Sequence, residues 1–163
     1  MPDAPDSAAI EARLHGYADA WAENSAAALE GFWDVDDPSP FYLAEEIETP
    51  ITDWPGLRAY WAGNERLHAR ISLRLSDIRL RALSEGLVQG VLRMDWDIAF
   101  LSGPSRAMGG DNRVAVLLRR DAQSWRLTSW VEAPLAPITY MRRLYEGRVT
   151  PGFAEAPARE LTS

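Results

Sequence analysis

Apolar positions recur at helical spacing in the first part of the chain and alternate with polar ones in the second. Residues 8 to 23 place Ile10, Leu14, Tyr17 and Trp21 on one face, behind Ser7, a residue suited to cap a helix N-terminus. SAAALEGFW, residues 25 to 33, predicts a short second helix opened by Asn24 or Ser25 and followed by the turn-rich loop DVDDPSP. FYLAEE predicts a short strand. A third helix, capped by Thr52 or Asp53 and tolerant of Pro55 in its first turn, is expected to run to about Arg70.

From there the period changes to two. ISLRLSDIRLRAL slips phase at Ser76 and Asp77, because Ile71, Leu73 and Leu75 are odd while Ile78 and Leu80 are even; a bulge there would return both sets to one face. GLVQGVLRMDWDIAF, RVAVLLRR and SWRLTSWVE complete a set of long strands. SGPSRAMGGDN reads as a hairpin tip at the open end, and PLAPITYMRRLYEG adds a C-terminal helical turn or two. Helices first and strands afterwards predict an α+β protein: a strongly bent antiparallel sheet forming a cone, with three helices of the N-terminal half on its concave face. The domain is expected to span residues 8–150, between a disordered tail at 1–7 and a C-terminal tail at 151–163.

Two stretches, PITDWPGLRAYW from Pro50 to Trp61 and RVAVLLRRDAQSWRL from Arg113 to Leu127, together with this element order, carry a family likeness. The chain resembles the nuclear transport factor 2-like superfamily, which includes SnoaL-like polyketide cyclases and ketosteroid isomerase. The resemblance implies a sheet curled into a cone around a pocket. Its members range from enzymes, whose acidic or histidine groups project into the cone, to binding and dimerisation modules, so it leaves function open.

Strand parity sorts the candidate residues. In VLRMDWDIAF, Leu92, Met94, Trp96, Ile98 and Phe100 share the apolar face, while Arg93, Asp95 and Asp97 share the other. If Trp96 lies opposite Val116, then Val114, Val116 and Leu118 join the inner face, followed by Leu127, Ser129 and Val131. Trp130 and Glu132 would then point outward, leaving no ionisable side chain inside the last three strands.

On the third helix Leu57, Tyr60, Trp61, Asn64, Leu67, His68 and Ile71 fall within an arc of roughly 120°, so Asn64 and His68 face the sheet. A buried amide without a partner costs about 1–3 kcal/mol. Asn64 therefore meets either a ligand or water in a pocket, or a strand carbonyl; His68 is either a site group or is satisfied by backbone near the helix end. Glu45 shares the more apolar face of its strand with Phe41 and Leu43, and either looks into the cone or is solvated at the strand end. Tyr17, Trp21, Trp33 and Trp61 supply aromatic walls or simply core, with Met94, Trp96 and Ser129 facing them from the sheet. In a catalytic reading His68 is general base or acid, Asn64 donates to a developing oxyanion and Glu45 orients or charge-balances the imidazole. The substrate would be a small apolar or aromatic molecule bearing a carbonyl, handled by isomerase-, cyclase- or lyase-type chemistry without a cofactor. The alternative is a non-catalytic, dimeric ligand-sensing or interaction module.

Composition narrows these readings. The chain has 163 residues and a net charge of −7, enough for one core and lacking the positive stripe that nucleic acid demands. All 17 basic residues are arginine, which removes lysine Schiff-base chemistry, and the absence of cysteine removes thiol nucleophiles and thiolate metal sites. With His15 and His68 the only histidines, no metal site is expected. No apolar run approaches a membrane span and MPDAPDSAAIEARL has no signal-like apolar core, so a cytoplasmic location is expected, with no membrane partner. Finally, Ala115, Leu117 and Trp130, rimmed by charges of both signs, predict a homodimer through the outer sheet face.

Overall fold

Two side-chain caps and one direct helix-to-strand junction set the course of the chain in the computed structural model, which describes residues 6–103, 107–122, 124–134 and 137–152. Helix α1, Ser7–Ala22, starts at Asp6, whose carboxylate accepts from Ala9 N, one residue before the expected cap. Its apolar stripe of Ile10, Leu14, Tyr17 and Trp21 is buried, as the spacing requires. Asn24 takes a left-handed φ of 49°, breaking the chain before α2, Ala26–Glu30. Strand β1 covers only Phe41–Leu43. In α3, Trp54–Leu67, Asp53 Oδ1 caps Gly56 N at 2.7 Å and Pro55 sits in the first turn.

The third helix ends three residues before the expected Arg70. His68 is extended (φ −109°, ψ 131°) and opens β2, His68–Ser84, opposite Phe100, while its N–H still donates to Asn64 O. Backbone pairing with β3 replaces the helical turn here, and Ile71 is buried in either conformation, so periodicity could not tell them apart. Strands β3, Leu87–Phe100, β4, Ala107–Arg120, and β5, Trp125–Pro134, follow, then helix α4, Pro137–Glu146. The first residues of β4 belong to the stretch expected as a hairpin tip. Most of both expected tails lies outside the described residues.

The sheet order is β1-β5-β4-β3-β2. Strands β2 to β5 are antiparallel, whereas β1 joins the edge parallel to β5 with Phe41 beside Ser129, so the sheet is not antiparallel throughout. The result is the expected α+β arrangement, a curved and unclosed sheet with three helices in the N-terminal half.

Two bulges decide which side chains face the helices. The first falls between Ser76 and Arg79, with Asp77 at φ 52°, where the phase slip predicts it. The second was not expected. Leu117 pairs with Ser129 but Leu118 with Leu127, so Thr128 is the extra residue and parity reverses after it. Trp130 and Glu132 therefore lie on the inner face, opposite Val116 and Val114, and Ser129 and Val131 lie on the outer one. Trp96 faces Gly110 rather than Val116, but the displacement is even, and Val114, Val116 and Leu118 stay inside as expected.

Inside, Tyr17, Trp33, Trp61 and Trp130 form a closed aromatic cluster, each 1% exposed or less. Tyr17 meets Trp130 edge-on at 5.1 Å, and Trp33 meets Trp61 at 6.0 Å. Trp130 is thus core, and the dimer patch expected around it does not exist in that form.

Candidate functional site

Where the closed cluster ends, the inner face of the sheet stays open. A cavity of about 500 Å³ lies between α3, the turn after β1 and the strands, with an apolar wall that includes Ile71, Leu73, Met94, Trp96, Ile98 and Phe100. Gly110 gives it width. The indole of Trp96 lies over Gly110, where a Cβ would sit 2.6 Å from Cζ2.

Three polar atoms around this cavity are buried and have no hydrogen-bond partner: Asn64 Nδ2, His68 Nδ1 and Trp96 Nε1. Asn64 is in the last turn of α3 and His68 at the junction with β2, where Asn24 Nδ2 holds its carbonyl at 3.0 Å and Phe100 packs edge-on against its ring at 5.3 Å. Burial lowers the His68 pKa, and the negative charge of Glu46 partly opposes this. The imidazole is thereby favoured in its neutral form near pH 7.

Three carboxyls close the other side. Glu132 is fixed by three donors: Trp130 Nε1 at 2.9 Å to Oε1, then Asn112 Nδ2 at 2.9 Å and Glu45 N at 3.3 Å to Oε2. Burial pushes its pKa up to about 7, the charges of Glu46 and Glu45 push the same way, and the bonds from Trp130 and Glu45 N oppose them. Glu46 accepts the Tyr60 hydroxyl at 2.6 Å. Glu45 is raised chiefly by burial. Among the described residues no group of three or more His, Cys, Asp or Glu is arranged to hold a metal ion.

Of the residues singled out from the sequence, His68, Asn64, Glu45, Trp21, Met94 and Trp96 line this cavity together. Glu45 reaches it from the turn after β1, because Tyr42 and Ala44 rather than Phe41 and Leu43 are the buried pair. Tyr17, Trp33 and Trp61 lie behind the wall in the closed core, and Ser129 is on the opposite sheet face. Ala115 and Leu117 are on that outer face too, half-buried, without Trp130. The residues missed were Glu132, Glu46, Tyr60 and Asn112. For Glu132 the sequence pattern is ambiguous: apolar Leu127 is odd and Trp130 even, but Val131 is apolar and odd as well, so either register fits.

No protein-family model matches the sequence, and no curated protein matches it. Solved structures do. A proposed scytalone dehydratase from Novosphingobium aromaticivorans superposes with a TM-score of 0.71 at 11% identity, over 80% of this chain and 85% of that one. A proposed dehydratase of the nuclear transport factor 2-like family from Streptomyces avermitilis gives 0.69 at 12% identity, over 80% and 97%. The chain has the nuclear transport factor 2-like fold. A type 2 hexachlorocyclohexane dehydrochlorinase also shares this fold, with a TM-score of 0.63 at 16% identity over 80% of this chain and 89% of that one. Among the described residues no helix is long and apolar enough to cross a membrane.

Within the nuclear transport factor 2-like cone the chemistry available here is specific. Asn64 and Trp96 each offer an unpartnered N–H donor at the cavity wall. Glu132, with its pKa lifted to about 7, can exchange a proton near neutral pH, while burial holds His68 toward its neutral, proton-accepting form.

Proposed function

We propose that the cavity binds a small, mostly apolar, ring-bearing carbonyl compound and moves a proton on it without a cofactor, as an isomerase or lyase. The observation that carries this reading is Glu132: a carboxyl held in one orientation by three N–H donors at the edge of an apolar cavity, with its pKa lifted to about 7. In this reading Glu132 takes a proton from the carbon next to the carbonyl, and the electron pair moves to oxygen, where Asn64 and Trp96 donate hydrogen bonds. Return of a proton at another carbon gives isomerisation, and departure of a neighbouring leaving group gives elimination. His68 is the second proton carrier, and Glu45, whose N–H binds Glu132, is a positioning residue. The named activities of two similar structures, a proposed dehydratase and a dehydrochlorinase, are eliminations and agree in kind with this reading.

The test is hydrogen exchange. A panel of cyclic ketones from cyclohexanone to 1-tetralone is incubated in D2O and followed by proton NMR. The wild type should accelerate loss of the α-proton signal above buffer, and Glu132→Gln and His68→Gln should each reduce that acceleration by about 10²-fold or more. Tight ketone binding with no exchange would favour the non-catalytic, ligand-sensing alternative. We propose in addition that self-association, where it occurs, uses the outer sheet face around Ala115, Leu117 and Val131.

A further inference from the structure

An anion developing on a ligand oxygen needs positive charge or donors close by. Among the described residues this cavity supplies donors but no cationic side chain. No arginine among the described residues lines it, the chain contains no lysine, and His68 is held toward its neutral form. What the wall does contain is three carboxyls, Glu45, Glu46 and Glu132, and among the described residues no ion pair reaches any of them. Elsewhere on the protein several carboxylates are paired with arginine, as in Arg58–Glu30, Arg93–Asp111 and Arg119–Asp34. Among the described residues the carboxyl-lined cavity is thus without an arginine partner.

Ring faces complete the pattern. Tyr42, Tyr60, Trp96 and Phe100 line the same space, and aromatic faces attract cations most strongly where water is excluded. A cation arriving with the ligand would meet Glu46 and the remaining lone pair of Glu132 Oε1. It would also offset the field that three carboxyls impose on a nearby enolate, which this wall leaves otherwise uncompensated.

We infer that the ligand carries its own positive charge: a protonated amine on an apolar, ring-bearing body, with the ammonium against Glu46 and Glu132 and the ring among Trp96, Ile98 and Phe100. The inference rests on the cavity being the binding site, and adds the ligand's charge to that reading.

Three probes of one shape separate the two claims: 2-aminotetralin, 2-tetralol and tetralin-2-carboxylate, titrated calorimetrically into the full-length protein. The amine should bind at least about tenfold tighter than the alcohol, with the carboxylate weakest. Glu46→Gln and Glu132→Gln should each narrow the gap between amine and alcohol, whereas Glu85→Gln, on the exposed turn between β2 and β3, should leave it as it is and so exclude a general effect of the −7 net charge. An alcohol that binds as well as the amine, or a gap that survives both cavity substitutions, overturns the inference and leaves the cavity reading standing. Binding by none of the three removes the cavity reading and the inference with it.

Discussion

The indole N–H of Trp130 donates to Glu132 Oε1 at 2.9 Å, and the two side chains share the inner face of β5 because the bulge at Thr128 has reversed its parity. Trp130 itself is 1% exposed and packed on Tyr17. Its removal should therefore act twice, opening a core cavity and freeing the acid. Trp130→Ala is predicted to cost about 3–5 kcal/mol in urea unfolding. Leu117→Glu, on the outer face, should leave the unfolding midpoint nearly unchanged, and sedimentation of that variant reports whether the outer face pairs. A Trp130→Ala protein as stable as wild type would contradict the inward placement.

Glu132 predicts a pH dependence of stability with a definite sign. Its pKa rises from an ordinary 4.5 to about 7 in the folded state, chiefly through burial, so the folded chain holds a proton that the unfolded chain releases. The stabilisation is complete below about pH 4.5 and is lost as pH rises through about 7. Glu132→Gln cannot ionise. Its stability relative to wild type should grow between pH 5 and pH 8, by on the order of 3 kcal/mol at most. Glu45, raised like Glu132, and His68, lowered, titrate in both proteins and largely cancel in the difference. Urea unfolding at four pH values across that window measures the gap, and a gap that does not change with pH contradicts the assignment.

Gly110→Ala should damage the cavity more than the fold. The new methyl would lie 2.6 Å from Trp96 Cζ2, so the indole must move or the two strands must part. A stability loss of about 1–3 kcal/mol is expected, with a shift in tryptophan emission as Trp96 changes its surroundings. Unchanged emission together with unchanged stability would mean that Trp96 does not rest on Gly110.

Asp77 occupies the left-handed region at φ 52° within the first bulge. Asp77→Gly should be neutral or stabilising by a few tenths of a kcal/mol, and Asp77→Val destabilising by about 1–2 kcal/mol, because a β-branched residue is the least suited to that φ. Thermal unfolding of the pair checks this. A stable Asp77→Val would place the bulge elsewhere.

Legibility in the sequence followed the strength of the local signal. The helix stripe at Ile10, Leu14, Tyr17 and Trp21 and the phase slip at Ser76–Asp77 are local patterns, and both appear in the fold. Asn64, His68 and Glu45 were legible as residues turned toward the cone, although for Glu45 the strand logic was wrong and a turn brings it there. The second bulge was hidden because β5 is apolar on both faces of the slip. Thr128, Ser129, Trp130 and Val131 can be read in either register, and only the pairing with β4 separates them. That one residue moved Trp130 from surface to core and Glu132 into the site. Glu46, Tyr60 and Asn112 depend on contacts across the fold, Tyr60 to Glu46 at 2.6 Å and Asn112 to Glu132 at 2.9 Å, which no local pattern encodes.

The central claim is that the space between Trp96, Asn64, His68 and Glu132 is a site for a ring-bearing carbonyl ligand. A crystal structure grown with 1-tetralone tests it most directly. The account predicts a flat ring against Trp96, its carbonyl oxygen within hydrogen-bond reach of Asn64 Nδ2 or Trp96 Nε1, and its α-carbon facing the Glu132 carboxyl. A ring found only on the outer sheet face, or a cavity closed by the collapse of Trp96 onto His68, would contradict it.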